Sequence, residues 1–149
     1  MNMLKPILIA VVFATAGPLL GFATAATTAI KNESPVKYGK ITKQEVFWMY
    51  TMKTRFWNDG TKVTVVYQDF SSRAHIDFCV NVLDTTTDRF ERVVNTYINQ
   101  GNAAYFIKAN TENEVANKVG KTDGAIGYLS SEFVLVNRGG QIEKLRIVD

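Results

Sequence analysis

Apolar residues recur along this chain at two different spacings, and segments of the two kinds alternate. Apolar positions three or four residues apart predict helices over residues 41–52, 71–83, 86–101 and 111–119. Runs rich in β-branched and aromatic residues predict strands over residues 61–69, 103–109 and 124–131, and a strand pair over 133–148 that turns at Arg138-Gly139-Gly140. Strands that alternate with helices are typical of an α/β domain, so we expect one such layered domain in residues 41–149.

Local signals mark where several of these helices begin or end. Thr42 stands three residues before Glu45, and Thr111 stands three residues before Glu114, which is the spacing of a capping box. Gly101 is placed to end the third helix. The same spacing predicts which side chains face inward: Ile76, Cys79, Val80 and Leu83 in the second helix, and Phe90, Val93, Val94, Tyr97 and Ile98 in the third.

The N-terminal segment differs from the rest of the chain. Residues 1–25 hold a basic Lys5, a long apolar run and a small-residue pattern at Ala23-Thr24-Ala25. This layout predicts a signal peptide that is removed after Ala25, which makes the product periplasmic or secreted, without a stable membrane span. The alternative is a retained anchor, because the apolar run is nearly long enough to cross a bilayer. Residues 26–40 are polar and predict a leader or a short edge strand.

Length, charge and cysteine content narrow the classes of function. With 149 residues, 46% of them hydrophobic, the chain is long enough for one well-buried domain. Lys5 is the one charge in the segment predicted to be removed, so the rest keeps a net charge of about +2. That balance favours neither a nucleic-acid surface nor a cationic membrane binder. Cys79 is the single cysteine and has apolar neighbours, which predicts a buried structural thiol and no internal disulfide.

Residue types that carry catalysis or bind metals are sparse. The chain has one His and one Cys, and its carboxylates form no cluster at ligand spacing, so we expect no metal and no cofactor. The stretch Ser71–Asp77 holds serine, histidine and aspartate, but along one helix these side chains diverge instead of converging as a catalytic triad does. We therefore expect that the protein is not an enzyme. His75, on the first turns of this helix, is expected to be partly exposed.

A second motif, Gly120-Lys121-Thr122, matches the last three residues of a nucleotide-binding P-loop. A P-loop needs another glycine five residues earlier so that successive backbone N–H groups surround the phosphates. That position is Val115, within a segment that predicts a helix. The sequence therefore excludes a P-loop here.

The segment Ser71-Ser72-Arg73 is the best candidate for a ligand site. It follows a predicted strand and opens a predicted helix, whose free N–H groups and dipole favour a bound anion. Two hydroxyls and an arginine add donors that suit phosphate or a similar oxyanion. A second interpretation stays open, in which one serine is an ordinary N-cap and Arg73 is a solvated surface charge.

Three stretches, in this order along the chain, resemble one known family. They are "ITKQEVFWMYTMKTRFWNDG", "VTVVYQDFSSRAHIDF" and "EVANKVGKTDGAIGYLSS". They are similar to the phosphate-type substrate-binding proteins of bacterial ABC transporters, in the type 2 periplasmic-binding-protein superfamily, and the similarity covers roughly residues 41–131. The resemblance implies a single three-layer lobe with a mixed sheet flanked by helices, in which Gly124 and Gly127 shape a strand. It also implies that Ser71, Ser72 and Arg73 hold an oxyanion.

The chain departs from that family in ways that change the expected function. In the family two lobes close over the anion, whereas this chain has room for one. The loop Asp69–Arg73 lacks the family's Gly-Thr, and Thr51 stands where the family has glycine. The resemblance therefore implies weak phosphate binding, with a second copy or an envelope or transporter protein needed for tight binding. The alternative is an envelope protein-interaction module that kept the fold but lost the ligand, which the aromatic-rich segment Phe47–Trp57 favours.

Overall fold

The computed structural model describes residues 8–9, 27–31, 40–130, 132–133 and 143–148. The helices in this part of the chain are α1 (Lys43–Tyr50), α2 (Arg73–Asn81), α3 (Thr87–Tyr97) and α4 (Glu112–Lys121). The strands are β1 (Leu8–Ile9), β2 (Thr27–Lys31), β3 (Lys40–Thr42), β4 (Thr64–Gln68), β5 (Phe106–Ala109), β6 (Ala125–Ser130), β7 (Glu143–Lys144) and β8 (Arg146–Val148). A π-helical turn (Ile98–Asn102) and a 3-10 turn (Ala103–Tyr105) join α3 to β5.

The larger of the two sheets is mixed, with the strand order β1-β7-β2-β6-β4-β5. Strand β4 runs parallel to both of its neighbours, so that Val65 is in register with Phe106 of β5 and with Ile126 of β6. Strand β2 runs antiparallel to β6, and β3 pairs with β8 in a separate parallel sheet. Because β4, β5 and β6 are parallel, their carboxyl ends lie at the same edge of the sheet.

Helices cover both faces of these parallel strands. Alternate residues of a strand point to opposite faces, and in β4 Val65 and Tyr67 pack into a core cluster shared with α1, α2 and α3. Val66 points the other way and packs with Val115 and Val119 of α4. The chain therefore forms a helix–sheet–helix sandwich, and the predicted α/β fold class is confirmed.

The start of α1 has the predicted capping box. The hydroxyl of Thr42 accepts from the amide of Glu45 at 3.1 Å, and the Glu45 carboxylate accepts from the amide of Thr42 at 2.8 Å. At α4 the hydroxyl of Thr111 likewise accepts from the amide of Glu114, at 3.2 Å. In a capping box the Glu114 carboxylate would accept from the amide of Thr111. It accepts instead from the amide of Asn110, one residue before the cap.

The predicted inward face of α2 is partly wrong. Ile76 and Val80 are 39% and 58% exposed, whereas His75 and Phe78 are fully buried. Cys79 and Leu83 are buried as predicted. Two stripes on this helix have helical spacing and share Cys79, and the stripe that is buried throughout is His75, Phe78, Cys79 and Val82. The sequence pattern favoured the more aliphatic stripe. The helix buries a histidine instead because both of its ring nitrogens have a partner, so its burial leaves neither nitrogen unsatisfied.

The prediction for the third helix is confirmed in part, because α3 ends at Tyr97 and its buried face is narrower than predicted. Phe90 and Val94 are buried, but Val93 and Tyr97 are only partly buried and Ile98 is exposed. Gly101 has a φ of 82°, the left-handed conformation that lets glycine close a helix. Fewer side chains of α3 are therefore buried toward its C-terminal end, where the chain passes through the π-helical turn to β5.

Gly124, just before β6, supports the interpretation that its motif shapes a strand. Its φ is 69°, and a Cβ atom on it would lie 2.1 Å from the carbonyl oxygen of Lys62. The Gly124 carbonyl accepts from the amide of Thr64 at 3.1 Å and from the indole of Trp57 at 2.8 Å. The glycine thus allows the start of β6 to lie directly against the segment that enters β4.

Several predictions concern the chain ends. The signal peptide stays a prediction, because Leu8–Ile9 is the one described part of residues 1–25, and the proposed cleavage site lies outside the described residues. In the segment 26–40, Thr27–Lys31 is a strand with neighbours on both sides, so it does not lie at the sheet edge. Residues 133–148 contain β7 and β8, which belong to different sheets, and the predicted turn at 138–140 lies outside the described residues. None of the described helices is long and apolar enough to cross a membrane.

Candidate functional site

The predicted site residues lie at the carboxyl edge of the parallel strands. Strand β4 ends at Gln68 and is followed by the segment Asp69–Ser72 and then by α2. Strand β5 ends nearby, and Asn110 and Thr111 lead from it into α4. The N-termini of α2 and α4 both begin at this edge because the two strands that precede them are parallel. The free backbone N–H groups and the positive dipole ends of both helices therefore lie at this edge of the sheet.

Ser72 is the N-cap of α2. Its hydroxyl accepts from the amide of His75 at 3.1 Å and donates to the side-chain oxygen of Gln68 at 3.4 Å. Its amide donates to the carbonyl of Asp69 at 2.9 Å. The capping role that the sequence left open is therefore the one that Ser72 has, and its donors are turned inward.

Ser71 is exposed, but a carboxylate of the protein itself holds both of its donors. Its amide and its hydroxyl donate to Oδ1 of Asp69, at 3.1 and 2.7 Å. The other oxygen of Asp69 lies 2.8 Å from the ammonium of Lys108. The ammonium of Lys108 and the donors of Ser71 hold the pKa of Asp69 well below its usual range, so the carboxylate is charged at neutral pH.

Arg73 is the first residue of α2 and has an exposed side chain. Its Nε donates to the carboxylate of Asp77 at 2.9 Å, and 75% of the arginine side chain is exposed. In the part of the chain that the structure describes, neither the amide of Arg73 nor that of Ala74 donates to another protein group. These two amides and the outer face of the guanidinium are therefore the donors available to a ligand at this helix start.

Two glutamates of α4 satisfy other donors at the same edge. The carboxylate of Glu112 accepts from the amide of Ser130, at the end of β6, and from its hydroxyl at 2.9 Å. Glu114 accepts from the amide of Asn110 at 3.0 Å and lies 3.4 Å from the ammonium of Lys118. Asp69, Glu112 and Glu114 thus each accept from backbone and side-chain donors.

His75 is completely buried, so the expectation that it is partly exposed is wrong. Its Nδ1 lies 2.5 Å from the hydroxyl of Tyr128, and its Nε2 lies 3.4 Å from the sulfur of Cys79. The same Tyr128 hydroxyl accepts from the amide of Gln68 at 2.8 Å. Sequence reasoning missed this cluster. The one available signal was that His75 and Cys79 are four residues apart on a helix, and so lie on the same face.

The geometry around His75 does not form a nucleophile–base pair. Burial lowers the pKa of His75 to about 4 and raises the pKa of Cys79 to about 12, so both are neutral at physiological pH. Ser72 contacts the amide of His75 and not its ring. Among the described residues, no group of three or more His, Cys, Asp or Glu is placed to hold a metal ion.

Comparison with solved structures decides the fold. The chain matches PstS from Borrelia burgdorferi with a TM-score of 0.58 and 17% identity, over 81% of this chain and 46% of that one. A "possible phosphate binding protein" from Planctomyces limnophilus matches with a TM-score of 0.58 and 14% identity, over 83% of this chain and 41% of that one. An ABC-type phosphate transport receptor from Vibrio cholerae matches with a TM-score of 0.53 and 16% identity, over 82% and 50%.

The chain shares the fold of part of each of these solved proteins. It spans about half the length of the solved structures that it matches. No family model and no curated protein sequence matches it. The likeness therefore rests on the arrangement of helices and strands, and it agrees with the resemblance that the ordered sequence motifs indicated.

Proposed function

We propose that this protein is an exported oxyanion-binding protein that holds phosphate weakly at the start of α2. The observation that carries the proposal is the pair of amides at Arg73 and Ala74, which lack protein acceptors among the described residues and lie at the carboxyl edge of the parallel strands. The outer face of the Arg73 guanidinium adds a charged donor at the same helix start. Two solved proteins with this fold are named for phosphate binding or phosphate transport, which supports phosphate as the ligand.

The same geometry explains why we expect weak binding. The donors of Ser71 are engaged by the ionised Asp69, which also repels an approaching anion. An anion at an exposed helix N-terminus gains about 0.3–1 kcal/mol, whereas tight binding of a dianion needs many converging donors in a site shielded from water. We therefore expect a dissociation constant in the millimolar range, equivalent to about −4 kcal/mol.

Tight binding requires a second surface over this edge. Arg73 is exposed at this helix start, so a second copy, or an envelope or transporter protein, is the proposed source of further donors. Closing such a surface over the helix start would exclude water and strengthen each hydrogen bond to the anion.

The test is a titration followed by NMR of ¹⁵N-labelled protein. Phosphate, sulfate and chloride are each added to about 10 mM at constant ionic strength. We expect the amide signals of Arg73 and Ala74 to shift with phosphate, with a millimolar dissociation constant. Arg73→Ala should weaken that binding at least about threefold, because a charge-assisted donor is lost. Arg92→Ala is the matched control, since Arg92 is an exposed arginine on α3.

Three outcomes would contradict the proposal. Equal shifts with chloride would mean a response to salt and not to an oxyanion. Equal effects of Arg73→Ala and Arg92→Ala would remove the site from the start of α2. A micromolar dissociation constant for the monomer would show that one copy encloses the anion without help.

A second candidate function is an envelope protein-interaction module, and two exposed aromatic side chains favour it. Trp48 is 41% exposed and Phe56 is 55% exposed. Tryptophan and other aromatic residues are enriched in protein interfaces. For this candidate we expect no amide shift with phosphate at about 10 mM. We also expect the protein to bind an envelope partner, and Phe56→Ser should abolish that binding. Ile76→Ser, which changes another exposed apolar residue, should leave the binding intact.

A further inference from the structure

Buried polar groups connect the first turn of α2 to two strands of the sheet. Gln68 lies at the end of β4, Tyr128 lies in β6, and His75 lies in the first turn of α2; all three are buried. Each has a hydrogen-bond partner within this group or in Ser72, the cap of the helix. Buried polar groups that satisfy one another fix a single arrangement, because breaking one bond leaves a buried partner unsatisfied.

These bonds form a closed ring. The amide of His75 donates to the hydroxyl of Ser72 at 3.1 Å, and that hydroxyl donates to the side chain of Gln68 at 3.4 Å. The backbone amide of Gln68 donates to the hydroxyl of Tyr128 at 2.8 Å, and this hydroxyl lies 2.5 Å from Nδ1 of His75. A further bond, from the Gln68 side-chain amide to the Tyr128 carbonyl at 3.2 Å, crosses the ring.

The ring has a direction that sets the tautomer of His75. Burial raises the pKa of the Tyr128 hydroxyl, so the phenol keeps its proton, and the hydroxyl already accepts from Gln68. Among the described residues, Nδ1 of His75 is the other hydrogen-bond partner of this hydroxyl, so the buried phenol proton is satisfied only when Nδ1 is unprotonated and accepts it. The proton of the neutral imidazole then sits on Nε2 and points at the sulfur of Cys79, 3.4 Å away.

We propose that His75, Tyr128 and Gln68 are positioning residues that hold the first turn of α2, and with it the amides of Arg73 and Ala74, in the orientation that receives an anion. This inference rests on the proposed function for its ligand, but the hydrogen-bond ring that carries it does not depend on that ligand. The ring connects a helix start that faces solvent to a buried core, so a change at the imidazole changes the site without contacting the anion.

Protonation of His75 is the change to which the ring is sensitive. A proton on Nδ1 would remove the acceptor for the Tyr128 hydroxyl and force that hydroxyl to turn away. Among the described residues, the titratable groups in contact with the imidazole are Tyr128 from β6 and Cys79 from α2. The charge of Asp69, in the loop after β4, favours the protonated imidazole. Helix α3 contributes the ring of Phe90, at 5.3 Å between ring centroids.

NMR of the ¹⁵N-labelled protein tests the proposal, and His75 is the single histidine of the chain, so its ring signals need no assignment. We expect the Nε2–H tautomer at pH 7. As the pH is lowered, the amide signals of Arg73 and Ala74 should move together with the His75 titration. Tyr128→Phe should shift these two amide signals without any ligand and weaken phosphate binding at least about threefold. Tyr105→Phe is the matched control, because Tyr105 is a partly buried tyrosine outside the ring.

The outcomes separate this inference from the proposed function. Absence of a phosphate response in the wild-type protein would refute the proposed function. The tautomer of His75 and the effect of Tyr128→Phe on the amide signals of Arg73 and Ala74 would still decide the positioning role. An Nδ1–H tautomer would overturn the inference, as would Arg73 and Ala74 amide signals that ignore the His75 titration. If Tyr128→Phe does not fold, these two wild-type measurements decide it.

Discussion

The amide and the hydroxyl of Ser71 donate to the same carboxylate oxygen of Asp69, at 3.1 and 2.7 Å. Asp69 thus occupies donors that the sequence predicted for an external oxyanion. Lys108 balances its charge from the neighbouring strand, at 2.8 Å. The donors of Ser71 are therefore taken up by a carboxylate of the protein itself, and under the proposed function a dissolved anion is left with the amides of Arg73 and Ala74.

Removing this internal carboxylate is expected to improve phosphate binding. Asp69→Ala frees both donors of Ser71 and the ammonium of Lys108, and it removes a negative charge beside the approaching dianion. We expect the dissociation constant to fall by about threefold to tenfold. Glu114→Ala is the matched control, because Glu114 also accepts from a backbone amide and pairs with a lysine. Calorimetry or NMR titration measures both variants, and an unchanged constant for Asp69→Ala would place the anion elsewhere.

The exposed and buried faces of α2 give a stability prediction. Val80 is 58% exposed, whereas Val82, at the end of the same helix, is buried. Val82→Ala should lower the free energy of unfolding by about 1–3 kcal/mol, because buried methyl groups are lost and a cavity remains. Val80→Ala should change it by less than about 0.5 kcal/mol. Urea unfolding measures both, and the reverse order would mean that α2 packs with the face that the sequence pattern predicted.

The two glycines with positive φ near β4 should differ in their tolerance of a side chain. A Cβ atom on Gly60 meets nothing within 4 Å, so Gly60→Ala bears mainly the cost of a left-handed alanine, about 1–2 kcal/mol. A Cβ atom on Gly124 would lie 2.1 Å from the carbonyl oxygen of Lys62. Gly124→Ala should therefore cost at least about 3 kcal/mol, since two backbone segments must separate. Similar unfolding midpoints for the two variants would contradict this close approach.

Stability should fall as the pH is lowered through the range in which His75 takes up a proton in the unfolded chain. Burial lowers the pKa of His75 from 6.5 to about 4 in the folded protein. Between these two values the unfolded state binds the proton and the folded state does not, so the free energy of unfolding decreases with falling pH. The total loss between pH 7 and pH 4 is on the order of 3 kcal/mol.

Replacing the histidine isolates its contribution to that pH dependence. His75→Leu lowers stability at pH 7 by disrupting the hydrogen-bond ring, but it should also flatten the slope of unfolding free energy between pH 6.5 and 4. The slope is the quantity to compare, by urea unfolding at several pH values. Equal slopes in the wild type and the variant would mean that other groups take up the protons.

Much of the fold could be predicted because its signals are local. The capping pair of Thr42 and Glu45 acts within one turn of the helix. The β-branched residues of β4 favour an extended strand by themselves. Ser71, Ser72 and Arg73 lie between β4 and α2 as the pattern of strands and helices predicted, but their contacts were only partly predicted. Ser72 is the N-cap, Ser71 bonds to Asp69, and Arg73 bonds to Asp77 while keeping an exposed guanidinium face. These partners lie two to four residues away in sequence. Sequence spacing does not predict which neighbour each donor bonds to, because that depends on the direction of the side chain.

The sequence by itself determined the alternation of strands and helices and the caps that start α1 and α4. Each of these is set by backbone geometry or by neighbours within one turn. The tertiary structure decided which stripe of α2 is buried, because His75 becomes compatible with the core only when Tyr128, 53 residues later, supplies a partner. It also decided that Lys108 would balance Asp69, since that pairing exists only once β4 and β5 lie side by side.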